Sequence, residues 1–264
     1  MGSEKCIRDR IRAALADYWI RPITPTVLTE SLRVANITNP ITNDLLQKCL
    51  SVEPRRASEI TRQLVSMGFL RELNTDSFAM TDDGLRLVEA VARKDQDRIH
   101  QILSKYEPYN RIYRLLEDRA LSLEEIASAS SMNEVAVETI LRLLEWSTSR
   151  LKRSRKRRFY ITRLAATAFE TYLEKLRRVW HDLASTEFGI RREFVRIPNL
   201  RDAVCEALLI DAAAFDRLFI KILQSFPSHF ELSSAPAPVT CASKDDGISI
   251  AGKRFFYVRM LERR

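Results

Sequence analysis

Positively charged side chains crowd residues 150–158, the stretch that dominates the charge pattern of the chain. Seven of these nine residues are basic and none is acidic. They are Arg150, Lys152, Arg153, Arg155, Lys156, Arg157 and Arg158. Like charges repel one another and gain nothing from an apolar core, so the stretch must lie in water or against an anion. Guanidinium and ammonium groups bind phosphate through charge-assisted hydrogen bonds, so the stretch predicts a phosphate-binding surface.

Three interpretations of residues 150–158 compete. The stretch could bind nucleic-acid phosphate, form a solvated loop or a sorting signal of the nuclear-localisation kind, or contact anionic lipid or an acidic protein. An apolar helical pattern ending at Trp146 precedes it, and the β-favouring residues 159–162 follow it. These flanks predict a hairpin that closes a small helical domain. A hairpin at this position favours the first interpretation, binding of nucleic-acid phosphate. Lipid is disfavoured because no apolar amphipathic helix adjoins the stretch.

A second set of polar side chains belongs to a predicted helix at residues 55–67. Arg55, Arg56, Arg62 and Gln63 fall near its N-terminal half and on its outer face. Guanidinium groups can meet guanine edges and glutamine can meet adenine edges, so these residues are the better candidates for base contact. The alternative for them is ordinary solvated helix surface.

The net charge of +8 is concentrated in one part of the chain. Residues 150–180 contain eleven basic and two acidic residues, whereas basic and acidic residues nearly balance elsewhere. A charge that serves only solubility would be spread out, so the concentration indicates an anionic partner.

Signatures of catalysis and of cofactor binding are missing from the sequence. With only six glycines it contains neither a G-x-x-x-x-G-K-[ST] nor a G-x-G-x-x-G loop. The H-E-x-x-H, G-x-S-x-G and [DE]-x-K patterns are absent too. Four cysteines and three histidines are scattered without metal-ligand spacing, which argues against a local zinc site. We therefore expect a protein that is not an enzyme and that needs no metal or cofactor.

The cellular location is predicted from hydropathy and cysteine usage. No apolar run approaches the roughly 20 residues of a membrane span, and the N-terminal residues do not read as a signal peptide. Scattered cysteines in such a chain favour free thiols. The expectation is a soluble cytoplasmic protein that does not contact membrane.

The elements that must position these side chains follow a regular order. An amphipathic helix is predicted at residues 4–20, a second begins at Thr24, and a third follows near residue 43. Gly68 is expected to end the helix at 55–67 in a left-handed conformation. Residues 69–80 read as strand, turn and strand, and Thr81 as the N-cap of another helix.

This order of helices and hairpin, together with the pattern Phe78-Ala79-Met80-Thr81-Asp82-Asp83-Gly84, resembles the winged helix-turn-helix superfamily. The pattern is similar to the aromatic, any, aliphatic, Thr, two residues, Gly sequence that often leaves the wing of that fold. The resemblance implies an α+β domain in which a helix and a hairpin wing meet DNA.

The same order returns after residue 105. A helix at 109–116, a capping box from Ser122 and a helix capped by Asn133 precede the basic hairpin. Phe159-Tyr160-Ile161-Thr162 repeats Phe78-Ala79-Met80-Thr81 at an offset of 81 residues, which indicates an internal duplication. The last of these helices exposes Glu134 and Glu138, and phosphate would repel them, so either the wing carries the contact here or the helix serves a protein partner.

A third module is predicted behind a long helix at residues 162–185. Asn199 and Asp211 are expected to cap two helices, and residues 193–197, 229–233, 248–251 and 255–261 to be extended. The resemblance is weaker in this module because the wing-exit pattern is missing.

These patterns predict a mainly α, α+β protein of tandem winged-helix domains joined by long helices, with domains at residues 1–105, 106–185 and 186–264. The predicted function is non-enzymatic binding of double-stranded DNA, as a regulator or as a subunit of a larger machine. The alternative is an adaptor that docks proteins within a DNA-processing or defence complex. A protein partner or a second copy could bind through the third domain or through the helix at 163–185.

Overall fold

The computed structural model describes residues 22–163, 167–185, 194–234 and 247–261. Within these residues the chain is mainly helical with small antiparallel sheets, which confirms the α+β, mainly α class. The helix predicted at residues 4–20 lies outside the described residues.

The chain divides into two compact units. The first combines the described residues of Met1–Leu116 with Leu121–Leu151, and the second combines Glu117–Ala120 with the described residues of Lys152–Arg264. The three domains expected at 1–105, 106–185 and 186–264 stay a prediction.

The helices before the basic hairpin begin where the sequence offers caps. In order, the elements are α1 Pro25–Ile37, α2 Asn43–Leu50, α3 Pro54–Ser66, β1 Leu70–Asn74, β2 Ser77–Met80, α4 Asp82–Ala92, α5 Gln96–Leu103, α6 Glu107–Asp118, α7 Leu123–Ser130 and α8 Glu134–Ser147. The hydroxyls of Thr24, Thr81 and Ser122 each accept a backbone N–H in the first turn of α1, α4 and α7. Because hydroxyl and backbone groups meet locally, the sequence alone predicts these starts.

A small sheet closes the helices of the first unit. β1 and β2 pair antiparallel, with Leu70 opposite Met80, and Ile41 forms an isolated bridge with Phe78 of β2. Gly68 turns the chain from α3 into β1 with φ +77°, as predicted. A Cβ atom on Gly84 would lie 2.5 Å from the Phe69 carbonyl oxygen, so only glycine lets α4 approach this sheet so closely.

Three helices of the first unit share a buried polar chain. The Tyr109 hydroxyl of α6 lies 2.7 Å from Nδ1 of His100 on α5 and 2.6 Å from Oγ of Ser147 on α8. Burial raises the pKa of Tyr109 well above its ordinary value. Hydrogen bonds on both sides remove the cost of burying this hydroxyl.

The basic stretch and the second unit supply the remaining elements. They are β3 Leu151–Arg153, β4 Phe159–Ile161, α9 Phe169–Ala184, β5 Val195–Arg196, α10 Ile197–Leu208, α11 Ala212–Ser225, a 3₁₀ turn at Pro227–His229, β6 Phe230–Ser233, β7 Ile248–Ile250, β8 Lys253–Phe255 and β9 Tyr257–Met260. β9 lies between β5 and β6, and pairs antiparallel with both, while β7 and β8 form a separate hairpin.

Aromatic side chains fill the core of the second unit. Tyr172 of α9 packs edge-on against Phe215 of α11, with ring centroids 5.9 Å apart. Phe215 stacks on Phe219, and the Trp180 indole donates to the Val258 carbonyl at 3.3 Å. The apolar face of α9 is therefore packed inside its own unit.

Two predictions about the second unit are wrong. The helix expected from Thr162 begins only at Phe169, because β4 extends to Ile161 and the Arg163 N–H donates to the Leu209 carbonyl at 2.8 Å instead of to a helical partner. Asn199 is no cap. Its helix starts at Ile197, with Pro198 in the first turn, where the fixed φ of proline suits a helix. The caps at Asn133 and Asp211 are confirmed.

Candidate nucleic-acid interface

The basic stretch forms a hairpin. β3 and β4 pair in a two-stranded sheet, and the chain reverses between them, with the Arg157 N–H donating to the Ser154 carbonyl at 3.0 Å. Ser154 is buried, and its N–H and hydroxyl bind the Arg158 carbonyl and N–H at 2.8 and 3.2 Å. Arg157 has a φ of +59°, in the left-handed region. The hairpin predicted for this stretch is confirmed.

Four of the basic side chains on this hairpin are exposed. They are Arg153, Arg155, Lys156 and Arg157, called here the tip cations. The Arg153 guanidinium lies over the Phe159 ring, 5.3 Å from its centroid, which orients this side chain along the hairpin. Lys152, by contrast, is half-buried.

The first and last basic residues of the stretch bind protein groups. Arg150 donates to the Tyr113 hydroxyl and lies 5.8 Å from the centroid of that ring. Nη2 of Arg158 donates to the Ala120 carbonyl at 2.7 Å, and its Nε is 4.0 Å from a Glu206 carboxylate oxygen, an ion pair too long for a hydrogen bond. Both arginines are half-buried, so they anchor the stretch rather than extend its exposed cationic surface.

Two carboxylates of α10 face the hairpin. The Arg155 N–H donates to both oxygens of Asp202, at 3.1 and 3.2 Å, and Glu206 follows one helical turn later beside Arg158. The six basic residues of 152–158 still exceed these two acids by four charges. The hairpin therefore keeps a positive surface although its base is partly neutralised.

A cleft of about 300 Å³ opens beside the hairpin base within the second unit. The basic side chains of Arg119 and Arg163 join Arg158 in its lining, which also contains the acids Asp118 and Glu206. Arg119 and Arg163 are exposed and extend the cationic surface beyond the stretch that the sequence singles out. No spacing pattern in the sequence marks Arg119, because it reaches the hairpin only through the fold.

On α3 the predicted base-contacting arginines stay on the surface but meet an acid. Nε of Arg55 lies 3.3 Å from Glu59, and Nη1 of Arg56 lies 3.4 Å from the same carboxylate. Arg56 also donates to the Pro22 carbonyl. Arg55 and Arg62 are exposed, whereas Arg56 is half-buried. Glu59 thus offsets part of the positive charge of this helix.

Gln63 does not face outward, so that prediction is wrong. The residue is 4% exposed, and its side-chain amide donates to the Tyr106 hydroxyl at 3.1 Å. Tyr106 follows α5 and covers the side of α3 that the local pattern leaves polar. A buried amide already bound to protein has no access to a base edge.

The β1–β2 hairpin, which the resemblance predicts to meet DNA, and α8, which the sequence predicts not to, both carry little positive charge. At the tip of the β1–β2 hairpin the Asp76 carboxylate accepts from the N–H and side-chain amide of Asn43, at 3.3 and 2.6 Å. On α8, Glu134 and Glu138 are exposed as predicted, and Arg142 pairs with Glu138 at 3.9 Å. The positive surface is therefore a property of the β3–β4 hairpin and is not shared by the β1–β2 hairpin or α8.

No protein-family model matches the sequence, and no curated protein resembles it significantly. Among the described residues, no group of three or more His, Cys, Asp and Glu side chains is placed to hold a metal ion. No helix in the described ranges is both long and apolar enough to cross a membrane.

Proposed function

We propose that the protein binds nucleic acid, double-stranded DNA in particular, through the tip cations, acting as a regulator or as the DNA-binding subunit of a complex and not as an enzyme. The observation that carries this proposal is the exposure of Arg153, Arg155, Lys156 and Arg157 on an ordered hairpin. An ordered hairpin holds its charged side chains close together before it binds, whereas a disordered loop must lose conformational entropy to bring them together.

The order of the strands supports a winged-helix interpretation of the modules. In the first unit Ile41, which precedes α2 and α3, pairs with β2, and β2 pairs with β1. In the second unit β5, which precedes α10 and α11, pairs with β9, and β9 pairs with β6. Both sheets place the last strand in the middle, and we attribute this to one repeated design with a helix pair and a wing.

Binding by the tip cations has a measurable salt signature. Each phosphate neutralised contributes about −0.9 to the slope of log affinity against log salt on duplex DNA. Fluorescence anisotropy with a labelled duplex, at salt from about 50 to about 200 mM, measures this slope. Replacing Arg153, Arg155, Lys156 and Arg157 by Ala should flatten the slope by about 3–4 and weaken binding equally for unrelated sequences.

A matched control removes the same charge elsewhere. Arg33, Arg93, Arg98 and Arg114 are exposed residues of the first unit, and their fourfold replacement by Ala lowers the net charge equally. This control should keep most of the wild-type slope. Equal flattening in both variants would mean that net charge, and not the hairpin, drives binding, and the proposal would then fail.

A second function has one observation in its favour. On α8 the exposed apolar side chain of Val135, 53% accessible, lies between the exposed acids Glu134 and Glu138. Such a face repels phosphate and suits a basic, partly apolar protein surface. An adaptor role through α8 predicts that Val135→Asp abolishes co-purification of a protein partner while leaving DNA affinity unchanged.

A further inference from the structure

Asp202 lies where it can control the conformation of the basic hairpin. Its carboxylate accepts the Arg155 N–H with both oxygens, at 3.1 and 3.2 Å, from a position on α10 that is 47 residues further along the chain. Arg155 is the first of the three consecutive tip cations 155–157, so this contact holds the backbone at the start of the turn.

Other hydrogen bonds hold the turn within the hairpin itself. Ser154 closes the turn: its N–H donates to the Arg158 carbonyl, its carbonyl accepts the Arg157 N–H, and its hydroxyl accepts the Arg158 N–H. These bonds join the two arms of the hairpin to each other, whereas Asp202 joins the turn to α10. Without the Asp202 contact the arms would stay paired, but the tip would be less firmly oriented on its unit.

An acid beside cations that bind phosphate has an electrostatic cost. The carboxylate of Asp202 lowers the local positive potential, and phosphate approaching Arg155 is repelled by it, within a screening length of about 8 Å at physiological salt. An acid at this position is therefore unfavourable for phosphate binding unless it does something else.

We propose that Asp202 is a positioning residue, whose hydrogen bonds to the Arg155 backbone hold the tip cations in the orientation that meets phosphate. This inference rests on the proposed DNA-binding function. It assigns Asp202 two opposed effects on affinity, a favourable geometric effect and an unfavourable electrostatic effect, and the two are separable by substitution.

The test uses two variants of the full chain and the labelled duplex described above. Asp202→Asn removes the charge but keeps an oxygen that accepts from Arg155, so it should bind about two- to threefold more tightly than wild type. Asp202→Ala removes charge and acceptor together, so the tip must be ordered on binding, and affinity should fall about fivefold below wild type. Glu231→Ala, which removes an exposed acid from β6 of the same unit, is the control for net charge.

Amide exchange gives a readout that does not depend on DNA. The Arg155 N–H should exchange slowly in wild type and Asp202→Asn and faster in Asp202→Ala, with thermal unfolding unchanged in all three. If both Asp202 variants bind DNA more tightly by the same factor, the residue acts through charge alone and the inference is overturned. If wild type shows no salt-dependent binding, the proposed function itself fails, and unequal exchange would still confirm the hairpin contact.

Discussion

The side-chain amide of Gln63 on α3 donates to the hydroxyl of Tyr106 at 3.1 Å, inside the first unit. Gln63 is 4% exposed, so this hydrogen bond compensates the cost of burying its amide. The phenol has a raised pKa because burial disfavours its charged form, and the Gln63 hydrogen bond acts in the opposite direction.

Replacing Gln63 by Ala should therefore destabilise the fold without affecting DNA binding. The change leaves a void and a buried tyrosine hydroxyl without this partner, which costs about 1–3 kcal/mol of unfolding free energy. Urea denaturation measures the loss, and anisotropy should show unchanged affinity for duplex DNA. Arg62→Ala, the exposed neighbour, should be neutral in stability. If Gln63→Ala were fully folded but bound DNA more weakly, Gln63 would have to be a DNA contact after all.

Lys156 and Arg158 should behave oppositely although both belong to the same basic stretch. Lys156 is exposed, so Lys156→Ala should leave stability within about 0.5 kcal/mol of wild type and reduce the salt slope by about 1. Arg158 binds the Ala120 carbonyl and faces Glu206, so Arg158→Ala should destabilise the second unit by about 1–3 kcal/mol. Denaturation and anisotropy on both variants distinguish a contact residue from an anchor. Equal stability of the two would contradict the anchoring role.

Stability should fall on the alkaline side of the ordinary tyrosine pKa. Burial raises the pKa of Tyr109, Tyr160 and Tyr172 in the folded protein. Above about pH 10 the unfolded chain loses these protons while the folded chain keeps them, so each tyrosine lowers the unfolding free energy by about 1.4 kcal/mol per pH unit.

Denaturation at about pH 9 and about pH 11 measures this slope. Tyr172→Phe should remove one tyrosine's share of the slope, at the expense of the hydrogen bond to the Phe215 carbonyl. A slope that is unchanged in the variant would show that Tyr172 titrates normally in the folded state.

Two cysteines of the described chain should differ strongly in reactivity. Cys49 is exposed on α2, whereas Cys205 is buried on α10, where burial raises the pKa of its thiol to about 12. Because the thiolate is the reactive form, an alkylating reagent should modify Cys49 quickly in the native protein and Cys205 only after unfolding. Peptide mass spectrometry after timed alkylation separates the two sites. Rapid native modification of Cys205 would contradict the packing of α10.

Local signals in the sequence predict the element starts, and long-range contacts explain the errors. The Ser122 capping box and the Asn133 cap involve residues three apart, so a short window contains all their atoms. Gln63 is hydrogen-bonded to Tyr106, which lies 43 residues further along the chain. The helical periodicity of α3 alone does not predict a contact with so distant a residue. The basic hairpin is predicted because charge and β-favouring flanks are both local, whereas the acids that face it come from α10.

In the candidate site, too, local features can be predicted from the sequence and long-range contacts cannot. Exposure of the tip cations follows from charge alone, since burying four of them would be prohibitively costly. That Arg150 and Arg158 serve as anchors depends on Tyr113 and Ala120, each more than thirty residues away along the chain. The winged-helix relation of the modules stays a proposal.

If the tip cations bind a polyanion as proposed, folding and binding favour different residues at position 157, where the backbone is left-handed. An arginine there costs roughly 1 kcal/mol or more relative to glycine, which adopts this conformation freely. Glycine would thus make a more stable turn with one charge fewer. Variants selected for heat resistance alone should accumulate glycine or asparagine at this position and bind a polyanion more weakly. Selection for binding should instead keep the arginine.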